Sequence, residues 1–210
     1  MILIGQFDSP FVRRVGVAMR LYGLAFEHRP WSVWADAEAL AGLNPLRRVP
    51  VLVLDDGEAL IESGAILDHL DELVGPERAM IPRSGPERRQ VLRLCALATG
   101  LADKAVALFY EGLLHDPPSQ TWIERCRAQI ADVLGALEAH RAGAATPFWR
   151  GPTIGHADIA TTCALRFVRE VHPDLIDPTR YPALAALADR CEALEAFQTI
   201  RQPFSVAVGE

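Results

Sequence analysis

The sequence predicts an α/β domain followed by an all-helical domain, and two observations predict it. Short apolar runs, Ile2-Leu3-Ile4, Val51-Leu52-Val53-Leu54 and Ala59-Leu60-Ile61, alternate with stretches of helical spacing in the first third of the chain. Beyond a proline-bearing stretch the chain turns rich in Ala and Leu, keeps helical spacing and offers no convincing strand.

Each element has a local cause. Ile2-Leu3-Ile4 is a short strand. Ser9-Pro10 starts a helix, because Ser is a strong N-cap and Pro is pre-organised for the first helical position. That helix carries Val15, Val17, Ala18, Met19 and Leu21 and stops at Gly23. Ala25 to Arg29 is a second strand, parallel to the first by the logic of a β-α-β unit, and the stretch from Pro30 to Gly42 is mixed and unassigned. Pro50 heads the Val51 strand, where no ladder donor is required, and Asp55-Asp56-Gly57 turns it into Ala59-Leu60-Ile61. Ile66, Leu67, Leu70 and Leu73 then mark a helix from about Ser63, with Ser63 as its N-cap. The order β-α-β-β-β-α is the thioredoxin-like arrangement, expected over residues 1–77, with a linker at 78–86 and the all-helical domain at 87–210. Within that domain helices are expected at Glu87 to His115, Ser119 to Ala142, His156 to Val171 and Pro182 to Ile200.

Bulk properties exclude several function classes. The net charge is -6, from 27 acidic and 21 basic residues with no long run of either sign, which argues against nucleic-acid or anionic-membrane binding. No apolar stretch approaches the roughly 20 residues of a membrane span, and Met1-Ile2-Leu3-Ile4-Gly5-Gln6 has no basic region or cleavage site of a secretory signal, so a cytoplasmic location is expected. Cys95, Cys126, Cys163 and Cys191 form no Cys-x-x-Cys pair and read as small buried hydrophobes, with no disulfide expected. With no paired histidines at ligand spacing, no metal site is expected.

Three short segments carry the chemistry. The Ser9-Pro10 helix start aims backbone N–H groups past a hydroxyl, a setting that suits a thiolate. Arg48-Val49-Pro50 offers a strand-entry backbone to an extended peptide, and Glu62-Ser63 offers a second helix start to a carboxylate. Together they suit a small anionic thiol peptide. Arg13 and Arg14 read as surface or interdomain charges.

These residues in this order resemble the glutathione S-transferase superfamily over almost the whole chain. The motifs are Ser9-Pro10-Phe11 followed by Arg14-Val15, then Asn44-Pro45 before Arg47-Arg48-Val49-Pro50-Val51-Leu52, then Glu62-Ser63. The chain is most similar to the Ser-containing branches, the plant tau and zeta types and numerous bacterial members. Gly155-His156-Ala157-Asp158 resembles the family's helix-start box, with Gly155 where Ser or Thr usually stands, so that Asp158 reaches back alone. The resemblance implies glutathione as co-substrate and no metal. It implies a thiolate stabilised by Ser9, and Val49 pairing with the cysteinyl backbone beside a cis Pro50. It assigns Glu62 to the γ-glutamyl ammonium, Ser63 to its carboxylate and Arg48 to the glycyl carboxylate. An electrophile pocket would draw on Phe11, Trp34, Phe109, Tyr110 and Leu113, with Phe204 beside them, and a homodimer would bring Asp103 near the partner's ammonium site. The activity expected is conjugation of glutathione to small hydrophobic electrophiles. The alternatives are a non-catalytic glutathione-binding scaffold or stress-associated protein of the same fold, and a glutathione-dependent isomerase. Thiol-disulfide exchange conflicts with a Ser at the nucleophile position.

Overall fold

A computed structural model describes residues 1–205. The chain forms two compact units, one from Met1–Arg83 together with the chain from Leu194, the other from Ser84–Ala193.

The first unit runs β1 (Ile2–Ile4), α1 (Pro10–Tyr22), β2 (Glu27–Arg29), α2 (Ala37–Ala41), β3 (Val51–Val53), β4 (Ala59–Ile61) and α3 (Ser63–Val74). Its strands lie in the order β2-β1-β3-β4, with β1 parallel to β2 and antiparallel to β3, and β4 antiparallel to β3. The register pairs Leu3 with Leu52 and Ile4 with Val51, and neighbouring residues point to opposite faces. Ile4 and Val51 form a core with Leu40 of α2, against which Trp31, Val33 and Leu43 pack. The unassigned stretch from Pro30 to Gly42 thus contains a helix and covers one face of the sheet. On the other face Leu3 Cδ2 lies 3.5 Å from where a Cβ on Gly16 of α1 would stand. At the end of α1 the buried Tyr22 hydroxyl donates to Asp71 of α3 and accepts from the Met80 N–H at 2.8 Å. Burial, then the Asp71 carboxylate, holds this phenol well above its usual range, so it stays a donor.

The second unit contains α4 (Gly85–Leu114), α5 (Gln120–Ala142), α6 (His156–Val171), a 3-10 turn at Pro173–Leu175 and α7 (Pro182–Glu192). Helix α6 is buried along most of its length, which its small Ala, Thr and Cys residues permit. Side chains finish several helix ends: Ser119 Oγ accepts from the Trp122 N–H at 3.4 Å, and Glu138 accepts from Ala183 and Leu184, both at 2.9 Å. Asp158 reaches back as expected, taking the Gly155 N–H at 2.9 Å, and its other oxygen takes the Trp149 N–H at 2.9 Å. Cys126, Cys163 and Cys191 are buried and Cys95 is half-buried, and all four are free thiols. Among the described residues no helix is long and apolar enough to cross a membrane.

The helix expected over Pro182 to Ile200 is two helices. Helix α7 ends at Glu192, and α8 (Glu195–Thr199) belongs with the first unit. Arg13 supplies the reason: expected as a surface or interdomain charge, it is buried and bonded to α8 within the first unit. Only 2% exposed, it donates from Nε to Ile200 O at 2.9 Å and from a terminal nitrogen to Phe197 O at 3.1 Å, with its guanidinium 5.3 Å from the Phe197 ring centre. A cation is thereby satisfied by the carbonyls at the end of α8. Residues 194–205, which composition alone places with the helical domain, belong instead to the first unit, against α1 and the loop that precedes it.

Replacing Asp158 by Ala strands two N–H groups, so urea denaturation should show a loss of about 2–4 kcal/mol. Burial pushes this carboxyl up to about 6, against the opposing pull of the Trp149 and Gly155 N–H groups and Arg141. Folding therefore takes up a proton between about pH 4, where the unfolded side chain titrates, and about pH 6. Wild-type stability falls as pH rises through that window, so the gap to Asp158→Ala should narrow across it. A gap that widened would contradict this reading.

Candidate active site

The site begins at the loop between β1 and α1. Gly5 N–H donates to Arg29 O at 2.9 Å, and His28 Nε2–H donates to Gly5 O at 2.8 Å. The Phe7 ring stacks on His28 with centres 3.8 Å apart. Gly5 has φ +124°, and a Cβ there would stand 2.5 Å from Val12 Cγ2 and 2.8 Å from Val49 Cβ. Glycine thus lets the first turn of α1 and the Val49 segment meet across one residue.

Ser9 caps α1 with extended backbone. Its N–H donates to Gln6 O at 3.2 Å, and its Oγ accepts the Val12 N–H at 3.4 Å. A hydroxyl that accepts from the helix keeps its own hydrogen for an outside acceptor. The helix begins at Pro10, so its N-terminal positive end lies at this hydroxyl.

Val49 precedes a cis peptide bond to Pro50 and stands outside the β1–β3 ladder, whose last pair is Ile4 with Val51. The approach to Val49 is shaped by Asn44, which is buried. Asn44 Oδ1 accepts from the Leu46 N–H at 3.0 Å and its Nδ2 donates to Arg48 O at 2.8 Å. Arg47, at φ +51°, pairs with Glu38 at 2.6 Å, while the Arg48 side chain is exposed.

Glu62 and Ser63 follow β4 and correct the expected cap. Glu62 occupies the cap position and Ser63 is the first residue of α3. Glu62 is exposed at φ +69°, a left-handed conformation that costs a non-glycine residue on the order of 1–3 kcal/mol and occurs chiefly where a ligand or tight turn demands it. Ser63 is 1% exposed, donates to Glu62 Oε1 at 3.4 Å and accepts from Arg14 at 3.4 Å. Arg14, expected as a surface or interdomain charge, is buried in α1 behind this helix start, because its position on α1 turns it toward α3. With no side-chain cap on α3, its first N–H groups remain open to an anion.

Ser9, Val49 and Ser63 are therefore tied to one another through Val12 and Gly5 on one side and Arg14 on the other. The apolar candidates are more scattered. Phe11 is half-buried in the first turn of α1 and Trp34 is 41% exposed, both in the first unit, as is the half-buried Phe204. Phe109 and Tyr110 pack edge to face on α4, centres 5.4 Å apart, with Leu113 41% exposed near its end and Asp103 exposed nearly two turns before Phe109. Sequence reading missed Gly5 and Arg14 as site-building residues, and it noted Asn44 only as part of the Asn44-Pro45 motif. Asn44 carried a local signal, since Asn before Pro is a strong turn former. Gly5 and Arg14 carried none.

Comparison with known proteins identifies the class. Residues 3–78 match the family model described as "Glutathione S-transferase, N-terminal domain", and 120–190 match "Glutathione S-transferase, C-terminal domain". The chain is 30% identical over 207 residues to the uncharacterized GST-like protein YibF of Escherichia coli (strain K12), covering 97% of this chain and 99% of that protein. It is 28% identical to the probable glutathione S-transferase GSTU6 of Oryza sativa subsp. japonica, covering 92% and 85%. A glutathione S-transferase of Methylobacterium radiotolerans, solved with glutathione sulfonate, superposes with TM-score 0.91 at 28% identity over 100% of this chain and 97% of that one. A glutathione transferase family member from Pseudomonas fluorescens Pf-5, solved with bound glutathione, gives 0.82 at 31% identity over 97% and 99%. This chain belongs to the glutathione S-transferase superfamily.

Gly5→Ala should destabilise the fold by about 2–4 kcal/mol, because its methyl overlaps Val12 and Val49 at a φ that disfavours any side chain. Denaturant titration measures it, and a change under about 0.5 kcal/mol, the level of an ordinary surface substitution, would show that the close approach is not required.

Proposed function

We propose that this protein is a glutathione transferase in which Ser9 stabilises the glutathione thiolate for attack on small hydrophobic electrophiles. The observation that carries the reading is the direction of the Ser9 hydrogen bond: Oγ accepts from Val12 and so is set to donate.

The energetics fit the task. A thiol of pKa about 8.5 is mostly protonated at neutral pH, and lowering it by about two units takes about 2.7 kcal/mol of preference for the anion. A hydroxyl donating to a charged acceptor supplies about 1.5–3 kcal/mol, and the start of α1 adds up to about 1. The thiol proton leaves to solvent, and the Ser9 O–H points at the remaining S⁻. The thiolate then forms the C–S bond with the electrophile, which either releases a leaving group with its bonding pair or, in an addition, takes up the displaced π pair and a proton from solvent. Ser9 forms no covalent bond in this scheme.

The rest of the site is proposed to hold the peptide. The Val49 main chain pairs with the cysteinyl unit. Glu62 meets the γ-glutamyl ammonium, while Ser63 and the first N–H groups of α3 meet its carboxylate. Arg48 reaches the glycyl carboxylate. Two carboxylates and one ammonium are thus matched by cationic or N–H partners and one Glu. A homodimer and a hydrophobic electrophile complete the reading.

Calorimetric titration with glutathione at neutral pH should show saturable binding in the wild type and its loss in Glu62→Ala/Ser63→Ala. A wild type that binds no glutathione would refute the site. Ser9→Ala should keep glutathione binding but lose roughly three- to twenty-five-fold in conjugation rate at pH 7, the fall in thiolate fraction when a thiol pKa near 6.5 rises by about one to two units. Equal rates would remove Ser9 from its role.

A further inference from the structure

The two residues that precede Ser9 are both bonded to the chain that follows α8. The Phe7 N–H donates to Gln202 Oε1 at 3.1 Å, and Asp8 Oδ2 accepts the Ser205 N–H at 3.3 Å. These contacts span 195 and 197 residues of sequence, so the end of the chain buttresses a loop near its beginning. The buttress has a fixed root. The buried Arg13 holds the carbonyls of Phe197 and Ile200, at 3.1 and 2.9 Å, two residues before Gln202. Ile200 Cγ2 approaches Gly16 so closely that a Cβ there would lie 3.0 Å away, and Phe7 would lie 2.9 Å from the same point. Gly16 therefore seats both Phe7 and Ile200 on α1.

We propose that the segment after α8, through Gln202, is a positioning device for the Ser9 hydroxyl. This rests on the transferase reading above. The loop from Gly5 to Ser9 is only five residues long, and its start is already set by Arg29 and His28. Gln202 and Ser205 set its end. A donor that has to meet a sulfur in line loses effect when displaced by a fraction of an ångström, so a contact that touches no substrate still tunes the thiolate. Gln202 acts through the Phe7 peptide and is a positioning residue, not a catalytic one. Arg13, bonded to the Phe197 and Ile200 carbonyls, is the anchor that puts Gln202 within reach.

The test compares Gln202→Met, which keeps length but removes the oxygen acceptor, with Gln202→Glu, which keeps an acceptor for the Phe7 N–H. Three quantities are read on the full chain: the pH profile of glutathione conjugation, the glutathione Kd and amide hydrogen exchange of Phe7 to Val12. Gln202→Met should move the kinetic pKa of the bound thiol up by about half a unit to one unit, a three- to ten-fold rate loss below that pKa, with Kd within about two-fold of wild type. Exchange at Phe7 should rise in Gln202→Met and return toward wild type in Gln202→Glu. A merely structural role would lower melting temperature without moving the pKa. An unchanged pH profile in Gln202→Met, while wild type conjugates glutathione, overturns this inference alone. A wild type that conjugates nothing overturns the transferase reading, and the inference with it.

Discussion

The first unit depends on a single constraint: α1 has to begin with a hydroxyl that accepts from its own helix and still faces outward. Ser9 meets it by taking the Val12 N–H, and Pro10 costs the helix nothing because its missing N–H lies among the groups that no helix satisfies at its start. The surroundings follow from keeping that end open. Gly5 is bare so that Val12 and Val49 can close on it, and His28 takes Gly5 O so that the loop has one path. Any side chain at position 5 would separate the cap from the peptide-pairing segment that the proposed chemistry uses beside it.

Two adjacent arginines divide the remaining work of α1. Being neighbours on a helix they point about 100° apart, so Arg13 faces the returning end of the chain while Arg14 faces the start of α3. Both are buried, and burying a guanidinium is tolerable only where its N–H groups find oxygens. Arg13 finds the carbonyls at the end of α8, and Arg14 finds Ser63. One helix therefore carries the cap, the tether of the chain end and the backing of the start of α3.

Much of this was legible in the sequence because it is local. Alternation and a Gly-bearing turn marked β3 and β4, Ser-Pro and Gly23 marked α1, and His156 to Val171 marked α6 to the residue. The Asp158 cap was implied by the resemblance of Gly155-His156-Ala157-Asp158 to the family's helix-start box. What escaped has a tertiary cause. Helix α2, five residues long, is shorter than the windows in which helical spacing shows. The break at Ala193–Leu194 has neither Gly nor Pro, and what distinguishes α8 from α7 is the Arg13 contact with its carbonyls. Ser63 looked like a cap because Ser is a good one, yet Glu62 takes that place in a left-handed conformation and frees the Ser63 hydroxyl for Arg14. The three segments were read as a set from local residue types, whereas the groups that contact them from elsewhere, Gly5, Arg14 and Gln202, are defined by partners distant in sequence.

The central claim is that Ser9 lowers the pKa of bound glutathione. The direct measurement is ultraviolet difference titration of the thiolate in the glutathione complex of the wild type and of Ser9→Ala, from about pH 5 to about pH 9, the span that brackets a free and a stabilised thiol. The account predicts a wild-type thiol near pKa 6.5 and a Ser9→Ala thiol about one to two units higher, the equivalent of one charged hydrogen bond. Equal values in the two proteins would contradict it.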